Sequence, residues 1–296
     1  MHVVRTPGSA RAIARTLARP VGFVPTMGAL HEGHRRLVER ARAENAAVVA
    51  SVFVNPLQFG PGEDFRRYPR TFERDAALLD ACGVDVLYAP AAERMYVPGF
   101  ATAIDPGPLG TVLEGAARPG HFAGVATVVV KLLNAIEPTA LYLGQKDAQQ
   151  VAVLRRVLVD LDVAAGIVVC PTVREGDGLA LSSRNAYLSP EERAAAPSLY
   201  RSVAAVARAV EAGAGDLRAA IASGAALLEP PLQWEYLTVV DPATFAPLEG
   251  LARPSLVVAV ARAGSVRLLD NVVVTALDGS DPFVTPQRRS ALRSRR

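Results

Sequence analysis

Cysteine is scarce in this sequence, with only Cys82 and Cys170 in 296 residues. The two lack C-x-x-C spacing and sit in apolar settings, which argues against a disulfide framework and a thiolate zinc site and leaves two reduced thiols. Histidine is nearly as rare: His2, His31, His34 and His121 are the whole supply. Lysine is rarer still, since the basic residues are almost all arginine and only Lys131 and Lys146 depart from that habit. Long apolar runs are also missing. None approaches the ~20 residues that a membrane-crossing helix needs. No charged-then-apolar leader follows Met1, so the expectation is a cytoplasmic protein with no membrane partner. The strand-to-helix turns lack G-x-x-x-x-G-K-[ST] and G-x-G-x-x-G, and no G-x-S-x-G elbow is found. A P-loop kinase, a dehydrogenase and a serine hydrolase therefore have little support.

What the chain does hold is ordinary globular material, 50% hydrophobic and 21% charged, enough for one large core or two modest ones. Its net charge of +3 owes much to the tail "QRRSALRSRR", Gln287 to Arg296. That tail, within 283–296, reads as a solvated terminus and is given no function, and no nucleic-acid partner is expected.

Short β-rich runs alternate with helical patterns through the first half. "VGFVP" (Val21 to Pro25), "AVVASVFVN" (Ala47 to Asn55), "VDVLYAP" (Val84 to Pro90), "ALYLG" (Ala140 to Gly144) and "GIVVC" (Gly166 to Cys170) read as strands. Stretches such as "HRRLVERARAEN" and "QQVAVLRRVLVDL" read as helices between them. This alternation predicts an α/β fold, a Rossmann-like parallel sheet with helices on both faces, spanning 1–172. From about 173 to 282 the pattern changes to one long helix (Pro190 to Ala212), a second near Asp216 to Leu228, and the strands "WEYLTVVD", "SLVVAVARAG" and "SVRLLDNVVV". A smaller C-terminal α+β domain is the expectation there.

Three polar clusters follow strands of the predicted sheet, at the edge where such sheets bind ligands. The first is "PTMGALHEGH", in which His31 and His34 stand at a helix N-terminus between Gly28 and Gly33. Free N–H groups and the helix dipole favour an anion at that place, and imidazoles at i and i+3 can both reach a phosphate. Zinc ligation is the weaker reading, because H-E-x-x-H spacing is absent and few histidines remain. Helix capping alone would suffice had the motif stood by itself. The second cluster, "GQKDAQQ", brings Lys146 and Asp147 with Gln149 and Gln150. The third, "ALSSRN", brings Ser182, Ser183 and Arg184. Read singly, Lys146 is a surface charge and the serines a helix cap. Together, two imidazoles, an ammonium, a guanidinium and two hydroxyls suit a polyphosphate, as phosphoryl or nucleotidyl transfer requires.

The ordered stretches "VPTMGALHEGH", "SVFVNPLQF", "YPRT", "RPGHFAGVATVVVKLL", "GQKDAQQ" and "PTVREGDGLALSSRN" carry a resemblance to the pantothenate synthetases, the ATP-dependent pantoate:β-alanine ligases. It spans Gly22 to Leu188, with "RLLDN" (Arg267 to Asn271) echoing it later. The H-x-G-H element alone is similar across a wider nucleotidyltransferase superfamily, but six collinear motifs are specific. The resemblance implies condensation of (R)-pantoate with β-alanine through a pantoyl adenylate, releasing AMP and pyrophosphate. It places Met27, Gly28, Ala29, Leu30, His31, Glu32, Gly33 and His34 on ATP, and adds Gly144, Gln145, Lys146, Asp147, Val173, Leu181, Ser182, Ser183 and Arg184. His34, His31 and Lys146 become the catalytic candidates, with His34 as the proton donor. Gln58 and Gln150 would hold pantoate, with Asn55 nearby. Amides suit its hydroxyls, and Met27, Phe53 and Leu57 suit its methyl groups. Arg184, Tyr68 and Arg118 are candidates for β-alanine. Mg2+ is expected to travel mainly on the phosphates, so no protein metal site is assigned, although a part for Asp75 or Asp147 stays open. The resemblance also implies a homodimer.

The chain departs from the family pattern at Gln145 and Leu181, both tolerable there, and at "MYVPGF" (Met95 to Phe100), a loop the proposed chemistry does not touch. A rival reading is another H-x-G-H adenylyl- or cytidylyltransferase acting on a phosphate ester. Such an acceptor would call for extra Arg or Lys where Gln58 and Gln150 stand. A non-catalytic nucleotide-binding module would show a damaged set of polar residues, whereas His31, His34, Lys146, Ser182, Ser183 and Arg184 are all present.

Overall fold

Valine-rich runs, nearly fully buried in the central strands, build the first sheet. The computed structural model describes residues 1–213, 216–279 and 281, so the basic tail 283–296 lies outside the described residues. By compactness the described residues fall into two units, Met1–Leu143 with Val153–Cys170, and Gly144–Ala152 with the described residues that follow Cys170.

The six strands are β1 (His2–Val4), β2 (Val21–Thr26), β3 (Ala47–Val52), β4 (Val86–Tyr88), β5 (Ala140–Gly144) and β6 (Gly166–Cys170), in the spatial order β1-β4-β3-β2-β5-β6. The pairings of β1 with β4, β4 with β3, β3 with β2 and β2 with β5 are parallel. Nearly every residue of β2 and β3 is buried, as expected of a parallel sheet covered on both faces. The associated helices are α1 (Pro7–Ala14), α2 (Glu32–Glu44), α3 (Phe72–Ala81), α4 (Ala92–Met95), α5 (Glu114–Ala117), α6 (His121–Ile136) and α7 (Ala148–Asp160). Val24, Val38, Val48, Leu79 and Leu87 fill a core cluster in this unit, and Phe122, Ala126, Val153 and Val157 fill another. Strand order reverses at β2: β3, β4 and β1 extend to one side, β5 and β6 to the other. The loop leaving the carboxyl end of β2 thus stands at the switch point, where open α/β sheets bind ligands.

The second unit packs α8 (Pro190–Ala195), α9 (Pro197–Ala212) and α10 (Leu217–Ala225) with the antiparallel strands β7 (Gln233–Val240), β8 (Ser255–Ala263) and β9 (Val266–Val274), in the order β7-β8-β9. Leu199, Val203, Val206, Val257, Ala259 and Leu268 belong to its core.

The α/β class, the parallel sheet and the smaller antiparallel sheet match the sequence expectation; β4 is shorter than the run Val84 to Pro90, and three further differences have a plain physical cause. Strand β1 was not foreseen, because three residues with an exposed pattern carry no measurable period. Strand β3 stops at Val52 instead of Asn55, since Asn55 caps a 3-10 turn at Pro56–Gln58 and Pro56 has no N–H for a ladder. The single helix expected over Pro190 to Ala212 is two helices, α8 and α9, because Pro197 at the start of α9 cannot continue the hydrogen-bond run.

Candidate active site

Strand β2 delivers the histidine motif. At its end Thr26 donates to the Ser51 carbonyl at 2.7 Å and accepts from Gly28 N–H at 3.2 Å. Gly28 and Ala29 then take positive φ, +86° and +51°. A Cβ on Gly28 would lie 3.0 Å from Asp75 Oδ2 and 3.2 Å from Val52 Cγ1, so glycine meets both the conformation and the crowding. Asp75, 1% exposed on α3, accepts from Ala29 N–H at 2.9 Å and Leu30 N–H at 2.8 Å. It also accepts from the Thr71 hydroxyl at 3.1 Å. These bonds make Asp75 the clamp of the loop, and its oxygens serve backbone donors.

His31 caps α2 from an extended backbone. Its Nδ1 accepts from Gly33 N–H at 3.1 Å, while His34 Nδ1 accepts from His31 N–H at 3.3 Å. The rings stand 4.2 Å apart between centroids, tilted by 53°. A Cβ on Gly33 would come within 2.9 Å of the His31 ring, so that glycine leaves space for the ring to fold back. Capping, the modest reading of the pair, is thus real, and it has a chemical consequence. A neutral imidazole whose Nδ1 accepts carries its proton on Nε2, which makes Nε2–H a donor suited to an anion at the positive end of α2.

The loop after β3 supplies the amides. Asn55 Nδ2 donates to Gln58 Oε1 at 3.0 Å and to the Gly124 carbonyl at 3.1 Å. Its Oδ1 accepts from Leu57 N–H at 3.2 Å and from the Tyr96 hydroxyl at 2.7 Å. Asn55 and Gln58 are 1% and 8% exposed. With its amide so committed, Asn55 holds the Gln58 side chain in place. Tyr96 also corrects one expectation: the Met95 to Phe100 loop, set aside as remote from the chemistry, reaches this network. Gln58 Nε2 donates to Met27 Sδ at 3.0 Å, tying the amide to the histidine loop.

Behind Gln58 lies a second layer. Its carbonyl accepts from His121 Nδ1 at 2.8 Å and from Arg118 at 3.2 Å. Arg118 also contacts His121 Nε2 at 3.1 Å and binds Glu63 at 2.6 and 2.9 Å. Burial alone would raise the Glu63 carboxyl, but the hydrogen bonds and charge of Arg118 outweigh it and hold the group below its ordinary value. Arg118, a candidate for β-alanine from sequence, is charge-matched here. Tyr68, another candidate, is buried and packs edge-on against Phe59. No sequence signal marked these residues as positioning Gln58: Arg118 and His121 belong to "RPGHFAG", and Glu63 lies outside every motif.

In the second unit, Gln145–Asp147 form a 3-10 turn that leads into α7. Lys146 Nζ lies 3.5 Å from Asp147. Gln149 is buried, and Gln150 is half-buried. Val173 accepts from Leu181 N–H at 3.0 Å, closing the hairpin that ends in "LSSRN". Ser182 caps the following turn by accepting from Arg184 N–H at 3.2 Å. A pocket in this unit is lined by Lys146, Ser182, Arg184, Asn185, Arg267 and Asp270. Sequence reasoning had not singled out Arg267 and Asp270 by role. Lys131, the other lysine, belongs to the first unit and lies over the rings of Phe100 at 4.9 Å and Tyr96 at 5.8 Å.

The structure therefore brings together Met27 to His34, Asn55 and Gln58 in the first unit, and Lys146, Ser182 and Arg184 in the second. Among the described residues no cluster of three or more His, Cys, Asp or Glu is arranged to hold a metal ion, and no helix is long and apolar enough to cross a membrane.

Residues 2–273 match the family model described as pantoate–beta-alanine ligase. The chain is 53% identical over 274 residues to the pantothenate synthetase of Chloroflexus aggregans, covering 92% of this chain and 99% of that one. It is 51% identical over 275 residues to the pantothenate synthetase of Thermus thermophilus, covering 92% and 99%. A crystal structure of a Thermus thermophilus pantothenate synthetase superposes with a TM-score of 0.89 at 51% identity, over 93% of this chain and all 100% of that chain. The pantoate–beta-alanine ligase of Francisella tularensis, complexed with beta-gamma ATP and beta-alanine, superposes with a TM-score of 0.77 at 34% identity, over 93% and 98%.

Proposed function

The chain belongs to the pantoate–beta-alanine ligase family, and from that membership we propose how its side chains divide the work. The activity is that of the family: an ATP-dependent ligase joining pantoate to β-alanine. In the proposed first step a carboxylate oxygen of (R)-pantoate attacks the α-phosphorus of ATP. The bond to the bridging oxygen breaks, and pyrophosphate leaves with its electron pair. In the second step the amine of β-alanine attacks the acyl carbon of pantoyl adenylate, AMP departs, and the amine loses a proton. The substrate supplies the nucleophile, so the protein needs none; its contribution is positioning and charge stabilisation.

His34 and His31 present Nε2–H to phosphate oxygens whose charge grows in the transition state, His34 donating its hydrogen bond to the departing group. The backbone from Met27 to Gly33 receives the nucleotide. Lys146, Ser182, Ser183 and Arg184 take triphosphate oxygens, with Gly144, Gln145, Asp147, Val173 and Leu181 completing the nucleotide contacts. Gln58 and Gln150 bind pantoate, with Asn55 behind Gln58. A thioether is a weak acceptor, so a pantoate hydroxyl competes well with Met27 for Gln58 Nε2. Magnesium arrives as the counter-ion of ATP and is held chiefly by phosphate, because Asp75 already serves the Ala29 and Leu30 N–H groups. The proposed setting is the cytoplasm, in keeping with two free cysteines. The proposed assembly is a homodimer, carried over from the family resemblance.

The single observation that carries the acceptor assignment is the Gln58–Met27 contact of 3.0 Å. It puts a neutral amide, backed by Asn55, beside the nucleotide loop, where a phosphate-ester acceptor would require a cation. The test offers ATP together with pantoate and β-alanine, or with 4′-phosphopantetheine, and follows AMP and pyrophosphate. AMP that depends on pantoate and β-alanine together supports the ligase. Pyrophosphate released only with the phosphate ester would establish the rival transferase.

A further inference from the structure

Lys146 occupies a three-residue 3-10 turn that leads into α7, and the turn is also held by side chains of β9 in the second unit. Asn271 on β9, 3% exposed, donates from Nδ2 to the Gln145 carbonyl at 3.0 Å and to the Lys146 carbonyl at 2.9 Å. Gln145 Nε2 donates back to Asn271 Oδ1 at 3.3 Å. Both amide donors and the acceptor are spent on this one turn. The preceding residue, Asp270, is 4% exposed and accepts from Asn271 N–H at 2.8 Å, which orients Asn271 itself.

Asp270 also receives two bonds from Arg174, at 2.6 and 2.8 Å. Arg174 in turn donates to the Gly178 carbonyl at 3.1 Å and stacks 3.8 Å from the Tyr200 ring centroid. Two consecutive residues of a paired strand therefore grip the turn that carries Lys146 and the hairpin that leads to Ser182 and Arg184.

We propose that Asn271 is a positioning residue: its amide aims the Lys146 ammonium at the phosphate that accumulates charge in the adenylation step. The proposal rests on the reading of Lys146 as a phosphate contact. A misplacement of about 1 Å can cost about 100-fold in rate, and loosening two carbonyls of the turn gives the ammonium that freedom.

The test is a double-mutant cycle on the full chain, with pantoate-dependent pyrophosphate release as readout and thermal unfolding as the check on folding. Asn271→Leu keeps the branched shape and the number of heavy atoms and removes all three bonds. It lowers kcat by about 10- to 100-fold and leaves the KM for pantoate unchanged. In a Lys146→Ala background the same substitution costs nothing further, because the group it aims is gone. Should the leucine variant not fold, Asn271→Ser, with one donor and one acceptor left, carries the same cycle. Equal losses in both backgrounds would mean a general structural role and overturn the proposal. So would a wild-type kcat in Asn271→Leu beside a slow Lys146→Ala, and that pair of results leaves the reading of Lys146 standing. A near-normal rate in Lys146→Ala alone overturns that reading, and the proposal with it.

Discussion

His34 has an observed role at one atom and a proposed role at another, and a substitution can separate them. Its Nδ1 closes the cap by accepting from His31 N–H, and its Nε2 is the proposed donor to phosphate. His34→Asn places an amide oxygen near the Nδ1 position and so keeps the cap, whereas His34→Ala loses both functions. Both variants should lose about 100- to 1,000-fold in kcat, but only alanine should also lose about 1 kcal/mol of stability. Steady-state rates and thermal unfolding of the two variants check this; a fast asparagine variant would remove His34 from the chemistry. Gly124 offers a second test. A Cβ there would clash with the Leu57 carbonyl oxygen and fall 2.7 Å from Gln58 N, both backbone atoms that cannot rotate away. Gly124→Ala should push the Gln58 turn aside and raise the KM for pantoate more than that for ATP. Equal changes in both constants would argue against Gln58 as a pantoate ligand. The residues picked from sequence were those with local signals: paired histidines beside glycines, a rare lysine, and the run of serines and arginine. The bonding roles of Asp75, His121 and Asn271 were out of reach because they exist only through residues 45, 63 and 126 positions away.

Elements rather than single residues set the acid response. Glu63, between the Pro56–Gln58 turn and the next 3-10 turn, fastens its segment to Arg118 at the end of α5. Its folded pKa lies below the ordinary 4.5, so its contribution is complete above that value and is lost as pH falls below it through the folded value. Thermal unfolding should therefore shift downward on acidification below 4.5, and Glu63→Gln should be less stable at neutral pH with a shallower acid slope. An unchanged slope would mean that the ion pair is not maintained in solution. The acid slope will not vanish, because Glu235 and Asp241 are also held below their ordinary values. At this scale the sequence was readable where runs were long and their period clear, as in β2, β5, α2 and α7. It failed where a short contact decided: β1 depends on pairing His2 with Val86, and the break between α8 and α9 depends on one proline, Pro197, which composition alone reads as continuous helix.

Across the whole molecule, alternation of strands and helices was enough to give a parallel sheet followed by a smaller antiparallel one, because each period reports a burial pattern directly. The grouping of Gly144–Ala152 with the second unit has no counterpart in local composition, since the bonds from Asn271 to Gln145 and Lys146 are tertiary. Ligand binding gives a global test. ATP at about 100 times its Kd should stabilise the native chain by about 2.7 kcal/mol, visible as a rise in Tm. The rise should shrink in Lys146→Ala, and its absence in the wild-type chain would contradict nucleotide binding. The measurement that bears most directly on the account is pyrophosphate release from ATP with (R)-pantoate in the absence of β-alanine. The account predicts a burst of pyrophosphate that requires pantoate, with AMP appearing only after β-alanine is added. Pyrophosphate that waits for β-alanine, or ignores pantoate, would contradict activation of the pantoate carboxylate as the first chemical step.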